Sequence, residues 1–128
     1  MSPDAQKVKL AALLGFLAVA LGAFGAHGLE ETLKAHGTVE IWKTASQYHM
    51  TYAVVLLVLG LFDSNEATTR YAWWSFMLGV LIFSGSLYIL AVTGMKWLGA
   101  ITPIGGLLLL LGWPLTAARG WSRGVKTP

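Results

Sequence analysis

Side chains able to move a proton or hold an ion are few in this chain, and the richest group of them is Thr44, Ser46, Gln47, Tyr48, His49 and Thr51. An imidazole changes charge near neutral pH, so His49 is the residue best suited to act as a base, a relay or a ligand. The structural alternative is a histidine bonded to a neighbouring hydroxyl. His27 precedes Glu30 and Glu31 by three and four residues, the spacing of a relay or metal pair on a continuous helix. Gly28 interrupts such a helix, which favours a histidine that caps the carbonyls of the preceding turn. Histidines at 27, 36 and 49 are spaced by nine and thirteen residues and match no metal motif, so no metal and no cofactor is expected. Ser84 and Ser86 have neither a nearby base nor the strand-to-helix elbow of a seryl nucleophile. No catalytic constellation results, and the expectation is a protein that is not an enzyme. The candidate binding residues are His27, Gln47, His49, Ser84, Ser86, Tyr88 and Thr102.

The surroundings of these residues are apolar. Of 128 residues, 55% are hydrophobic and 12% charged, about half the ~25% charged residues of ordinary soluble domains. Four runs approach or exceed the ~18 residues that cross hydrocarbon. A net charge of +3 could suggest nucleic acid, but the nine Lys and Arg residues stand at the ends of apolar runs. They read as topology signals, and no nucleic-acid partner is expected. The chain has no cysteine, which excludes disulfides and thiolate chemistry.

These patterns predict an all-α membrane protein: one domain over 1–128 with four antiparallel transmembrane helices at about 8–26, 42–62, 71–92 and 97–118. The basic head and Ala23-Phe24-Gly25 also resemble a signal peptide and its cleavage point, but the start at Met1 favours a retained span. Gly28 is expected to stop the first helix in the left-handed conformation. Leu29 to His36 forms a short interfacial segment, Gly37 stops it, and Thr38 caps the second span. Asp63-Ser64-Asn65 makes a turn, after which Thr68 or Thr69 caps the third span. Thr93-Gly94-Met95-Lys96 is short enough to set spans three and four antiparallel. In span four a kink at Pro103 is preferred over a helix that starts there with Thr102 as its cap. Trp113-Pro114 prepares the exit.

Small residues recur at helical spacing on three of the spans. Ala11, Gly15, Ala18, Gly22 and Gly25 share one face of the first; Ser75, Gly79, Ser86 and Thr93 share a face of the third. Thr102, Gly105, Gly112 and Thr116 share a face of the fourth, interrupted by Leu109. In lipid such faces serve close helix packing, so Gly15, Gly22, Gly25, Gly79, Gly105 and Gly112 are the expected packing residues. Lys7, Lys9, Arg70, Arg119, Arg123 and Lys126 fall on the side shared by the termini, against Lys34, Lys43 and Lys96 opposite. That imbalance orients both termini towards the cytoplasm.

Four ordered stretches carry a family resemblance: Gly22-Ala23-Phe24-Gly25-Ala26-His27-Gly28-Leu29; Trp42, Thr44, Ala45 and Tyr48; Phe83-Ser84-Gly85-Ser86-Leu87-Tyr88; and Ile101-Thr102-Pro103-Ile104-Gly105-Gly106 with Gly112-Trp113. From span one to Trp113 the chain resembles the family catalogued as domain of unknown function 423, which extends to a eukaryotic relative called transmembrane protein 256. The resemblance implies a small four-span integral protein of bacterial inner membranes and carries over no reaction, cofactor or site residue. The expected role is a non-catalytic accessory or assembly component of a membrane complex, in contact with the lipid bilayer and with a membrane-protein partner or further copies of itself. The alternative is a small transporter or channel acting as an oligomer. A third reading, an enzyme acting on a lipid or quinone, requires His27, Glu31, Gln47 and His49 to gather near one surface.

Overall fold

The computed structural model describes residues 3–63 and 66–122. Among the described residues the chain is all-helical: α1 (Ala5–His27), α2 (Glu30–His36), α3 (Val39–Leu61), α4 (Ala67–Thr93) and α5 (Thr102–Ser122), with a 3-10 turn over Lys96–Ala100 ahead of α5. Three segments are long and apolar enough to cross a membrane: Ala5–Gly25, Ala67–Thr93 and Lys96–Ala118. The 23 residues of α3 reach about 34 Å at ~1.5 Å per residue. Its polar first half leaves it outside that set.

Local chemistry sets the helix ends, and several differ from expectation. The Asp4 carboxylate accepts from the backbone N–H groups of Gln6 and Lys7, which starts α1 at Ala5. Gly28 is right-handed, with φ −79 and ψ −26, so it is not the left-handed stop that was expected. A glycine suits this place because a β-carbon would collide with the Phe24 ring. The left-handed stops are Gly37 and Gly94, at φ 65 and 72. Thr38 stands at the start of α3 without capping it. Its hydroxyl donates to the Ala91 carbonyl at 2.6 Å and so ties α3 to the end of α4. The fourth helix begins at Ala67, and Thr69 is buried within it, so neither Thr68 nor Thr69 caps it. Ser64 and Asn65 of the predicted turn, like Arg123 and Lys126 of the basic tail, lie outside the described residues.

The preferred kink at Pro103 is replaced by a change of helix type. The 3-10 turn ends at Ala100, and α5 starts at Thr102 with Pro103 in its first turn. There the missing N–H has no intrahelical acceptor to lose. The helix runs through Pro114 to Ser122, past the expected end of the span at about 118.

The long helices form a row. Among the described residues α1 packs on α3, α3 on α4 and α4 on α5, while no Cα atoms of α1 and α4, α1 and α5, or α3 and α5 come within 8 Å. The glycine faces are what make the neighbours close. Gly25 lies under the Trp42 ring, Gly105 against the backbone of Phe83 and Gly79, and Gly112 under the Phe76 ring. A β-carbon at Gly79 would stand 2.9 Å from Leu109, so the leucine that interrupts the small face of α5 fills the space that Gly79 leaves. Gly15 makes ordinary contact, 3.8 Å from Ala53 to a built β-carbon. Gly22 departs from the packing expectation, because nothing lies within 4 Å of a β-carbon placed there. Between α3 and α4 the core is Leu56, Trp73, Phe76 and Val80, with the Trp73 indole N–H donating to the Leu56 carbonyl at 3.1 Å.

Candidate functional site

The polar first half of α3 faces two ways. Ala45 and His49 turn inward, four residues apart, and are buried, whereas Gln47, Tyr48 and Thr51 are exposed. His49 is only 5% exposed. Its Nδ1 lies 2.8 Å from the Tyr88 hydroxyl on α4, and the Tyr88 oxygen lies 3.5 Å from Ser46 Oγ, one helical turn before His49. The two rings meet edge to face with centroids 5.7 Å apart, and the Tyr88 ring also packs on Trp42 at 4.6 Å. His49 Nε2 is buried and has no hydrogen-bond partner. Buried polar atoms are almost always paired, so this nitrogen stands out.

The ring lines a groove of ≈190 Å³ together with Leu14, Leu17 and Leu21 of α1 and Val80, Leu81, Ser84, Gly85 and Tyr88 of α4. No Cα atoms of α1 and α4 come within 8 Å of one another, and the groove lies between their side chains beside α3. On the other side of the row Tyr48, Tyr52, Phe83, Leu107 and Trp113 line a larger cleft of ≈550 Å³. The Trp113 indole donates across it to the Tyr52 hydroxyl at 3.0 Å.

The other candidate binding residues are spent on structure or lie elsewhere. Ser84 donates to the Ala45 carbonyl at 2.9 Å. Ser86 and Thr102 are buried and share a 2.6 Å hydrogen bond between α4 and the start of α5, and each also reaches a carbonyl of its own segment, Phe83 and Leu98. Gln47 is exposed and lines a separate groove of ≈230 Å³ with Gly22, Gly25, Trp42, Lys43 and Ser46. His27 is exposed at the end of α1 and makes no side-chain hydrogen bond among the described residues, so it does not cap that helix. The proposed pairing of His27 with Glu30 gives way to an ion pair of Glu30 with Lys34 at 2.8 Å. That hydrogen bond and the lysine charge hold the Glu30 carboxyl below the usual carboxylate range. The enzyme reading requires His27, Glu31, Gln47 and His49 together. His49 lines one groove, Gln47 another, and His27 and Glu31 are exposed. Among the described residues no group of three His, Asp or Glu is placed to hold a metal ion.

Two features escaped the sequence reading. Lys7 and Asp63 form a buried ion pair, 3.0 Å apart, with the lysine 6.0 Å from the Trp73 ring centroid. Tyr88 and His49 find one another although 39 positions separate them. Neither leaves a periodic signal. What the second can do chemically is limited and specific: one imidazole nitrogen is bonded to a phenol, the other is buried in a ring that lines an apolar groove, and among the described residues no carboxylate is bonded to either.

Comparison with known proteins agrees with the apolar helical architecture. The chain is 47% identical over 105 residues to a UPF0382 membrane protein of Staphylococcus epidermidis, covering 81% of this chain and 85% of that protein. It is 44% identical over 107 residues to the UPF0382 membrane protein YwdK of Bacillus subtilis, covering 81% and 86%. No solved structure matches it. Residues 21–106 match the model of the family described as "Protein of unknown function (DUF423)", from the end of α1 to the start of α5 and across both walls of the His49 pair, and the chain belongs to that family of bacterial membrane proteins.

Proposed function

We propose that this protein crosses the bacterial inner membrane four times with antiparallel helices, both termini in the cytoplasm, and serves as a non-catalytic accessory or assembly component of a membrane complex, bound to another membrane protein or to copies of itself. The fourth crossing is α3, which matches α1 in length and lies between α1 and α4. Contacts that pair the first part of one helix with the last part of its neighbour, such as Lys7 of α1 with Gly60 of α3 and Thr102 of α5 with Ser86 of α4, support the alternating direction.

The observation that carries the assembly reading is the open row. Each outer helix has one long neighbour within 8 Å by Cα distance, with α5 reaching α3 through the Trp113–Tyr52 hydrogen bond as well, and Phe16 on α1 and Leu107 on α5 are 71% and 66% exposed. Transport has less support: the Ser84, Ser86 and Thr102 hydroxyls are bonded to neighbouring helices, and α5 is unbroken beyond Pro103.

The test is the mass of the particle in mild detergent together with photocrosslinking from position 16 or 107 in native membranes. A particle heavier than the 13.8 kDa chain plus its detergent, and one adduct of defined mass lost when the crosslinker moves to buried position 11 or 109, is the expected result. Solitary monomers with no adduct from either edge contradict it.

A further inference from the structure

We propose that the groove between α1 and α4 binds a lipid-soluble carbonyl compound of the quinone type, whose oxygen accepts a hydrogen bond from His49 Nε2. The inference rests on the crossing of α3 proposed above and is independent of the assembly role, since a monomer could bind such a molecule and an oligomer could lack it.

The hydrogen-bond pattern selects the chemistry. The Tyr88 oxygen is 2.8 Å from Nδ1 but 3.5 Å from Ser46 Oγ, and the longer distance is outside the range of a good O–H···O bond. The phenol proton therefore goes to Nδ1, and the neutral ring carries its own hydrogen on Nε2. Nε2 is buried and has no hydrogen-bond partner among the described residues. A buried donor without an acceptor is costly, so an oxygen arriving at this position gains what the protein alone does not supply.

The walls select the rest of the molecule. Leu14, Leu17, Leu21, Val80 and Leu81 offer only hydrocarbon, and Ser84 is already committed to Ala45. At ≈190 Å³ the groove is below the roughly 300–1,000 Å³ of sites that enclose a whole drug-sized ligand. It suits one ring whose tail stays in lipid. Gly85 leaves the α4 wall bare, with nothing within 4 Å of a β-carbon built there.

Depth decides against an ordinary phospholipid. Counting from Val39, His49 lies about 15 Å along α3, near the middle of the helix. Ester carbonyls sit at the edge of a hydrocarbon core ~30 Å thick, about 15 Å from that plane. A carbonyl that reaches His49 belongs to a molecule dissolved in the hydrocarbon.

The probe is decylbenzoquinone, with decane as the control that keeps the tail and lacks the carbonyl. With the full chain in lipid nanodiscs, the Nε2 resonance of isotopically labelled His49 is expected to move saturably with the quinone and to ignore decane. Saturable retention of radiolabelled quinone over empty nanodiscs should weaken about tenfold in His49→Phe, the equivalent of one hydrogen bond, and recover in part in His49→Gln, which keeps an N–H donor. Should His49→Phe fail to fold, Gly85→Leu decides, because it fills the groove without touching the His49 and Tyr88 pair and should abolish saturable retention. Full retention by folded Gly85→Leu, or a His49 resonance that responds equally to decane, overturns the proposal.

Discussion

Lys7 Nζ lies 3.0 Å from Asp63 Oδ1, which ties the first turn of α1 to the residues that follow α3, with side chains only 13% and 7% exposed. The Asp4 N–H donates to the Gly60 carbonyl at 2.9 Å beside it, so two long-range bonds close the same end of the row. Neutralising Asp63 leaves Lys7 only its longer ion pair with Asp4 at 3.9 Å, and neutralising Lys7 leaves the Asp63 carboxylate buried without its lysine. Asp63→Asn should cost about 3 kcal/mol, and the pair Lys7→Met with Asp63→Leu should cost less than the sum of its parts. Reversible unfolding in mixed detergent measures both, and additivity of the two substitutions would contradict a coupled pair.

Gly105 and Gly22 belong to the same class of small-face residues yet should respond in opposite ways to alanine. At Gly105 the new methyl meets the backbone of Phe83 and the Gly79 carbonyl, which cannot rotate away. Gly105→Ala should force α4 and α5 apart and cost about 2 kcal/mol or more. At Gly22 the methyl meets nothing within 4 Å, and Gly22→Ala should be neutral or stabilise by up to about 1 kcal/mol through helix propensity. Equal losses at the two sites would mean that the glycine contacts described between α4 and α5 are wrong.

Ser86 and Thr102 join α4 to the first turn of α5 through a buried 2.6 Å hydrogen bond. Removing either hydroxyl, in Ser86→Ala or Thr102→Val, should destabilise by about 1 kcal/mol, and the double variant should lose little more than either single one. Thermal melts of the four proteins of the cycle read this directly, with strict additivity as the contrary result.

Glu30 supplies a pH prediction outside the spans. Lys34 lowers its folded-state pKa by hydrogen bond and by charge, so its contribution is present above the unfolded carboxylate pKa and lost as the pH falls through the depressed folded value. The group is exposed, and the effect on stability is correspondingly small. Carbon NMR of the Glu30 carboxyl should give a titration midpoint below that of Glu30 in Lys34→Met. Coincident midpoints would remove the pair.

Much of the fold was legible because helix packing in lipid writes itself into sequence with a short period. Gly15, Gly25, Gly79, Gly105 and Gly112 were found from their spacing, and each meets a neighbouring helix. Leu109 looked like a flaw in its small face until Gly79 was seen opposite it. Helix ends were harder to read, since they depend on tertiary partners. Thr38 has the right type for a cap, but the Ala91 carbonyl competes for its hydroxyl and wins. Gly28 marks a helix end for a steric reason, the Phe24 ring, and not for its backbone freedom. At the site, His49 was legible as a polar group in an apolar run, while its pairing with Tyr88 was not, because contacts between α3 and α4 leave no fixed separation along the chain.

The crossing of α3 is the claim on which the orientation of the termini and the membrane depth of His49 both depend. The chain has no cysteine, so single cysteines at the exposed positions Ala5, Ala35, Ala67 and Lys96 report their side of the membrane through a membrane-impermeant maleimide. With four crossings, Ala35→Cys and Lys96→Cys are labelled from outside intact spheroplasts, and Ala5→Cys and Ala67→Cys only after permeabilisation. Labelling of Ala67→Cys from outside, with Lys96→Cys protected until permeabilisation, would leave α3 on the outer face and contradict the four-span arrangement.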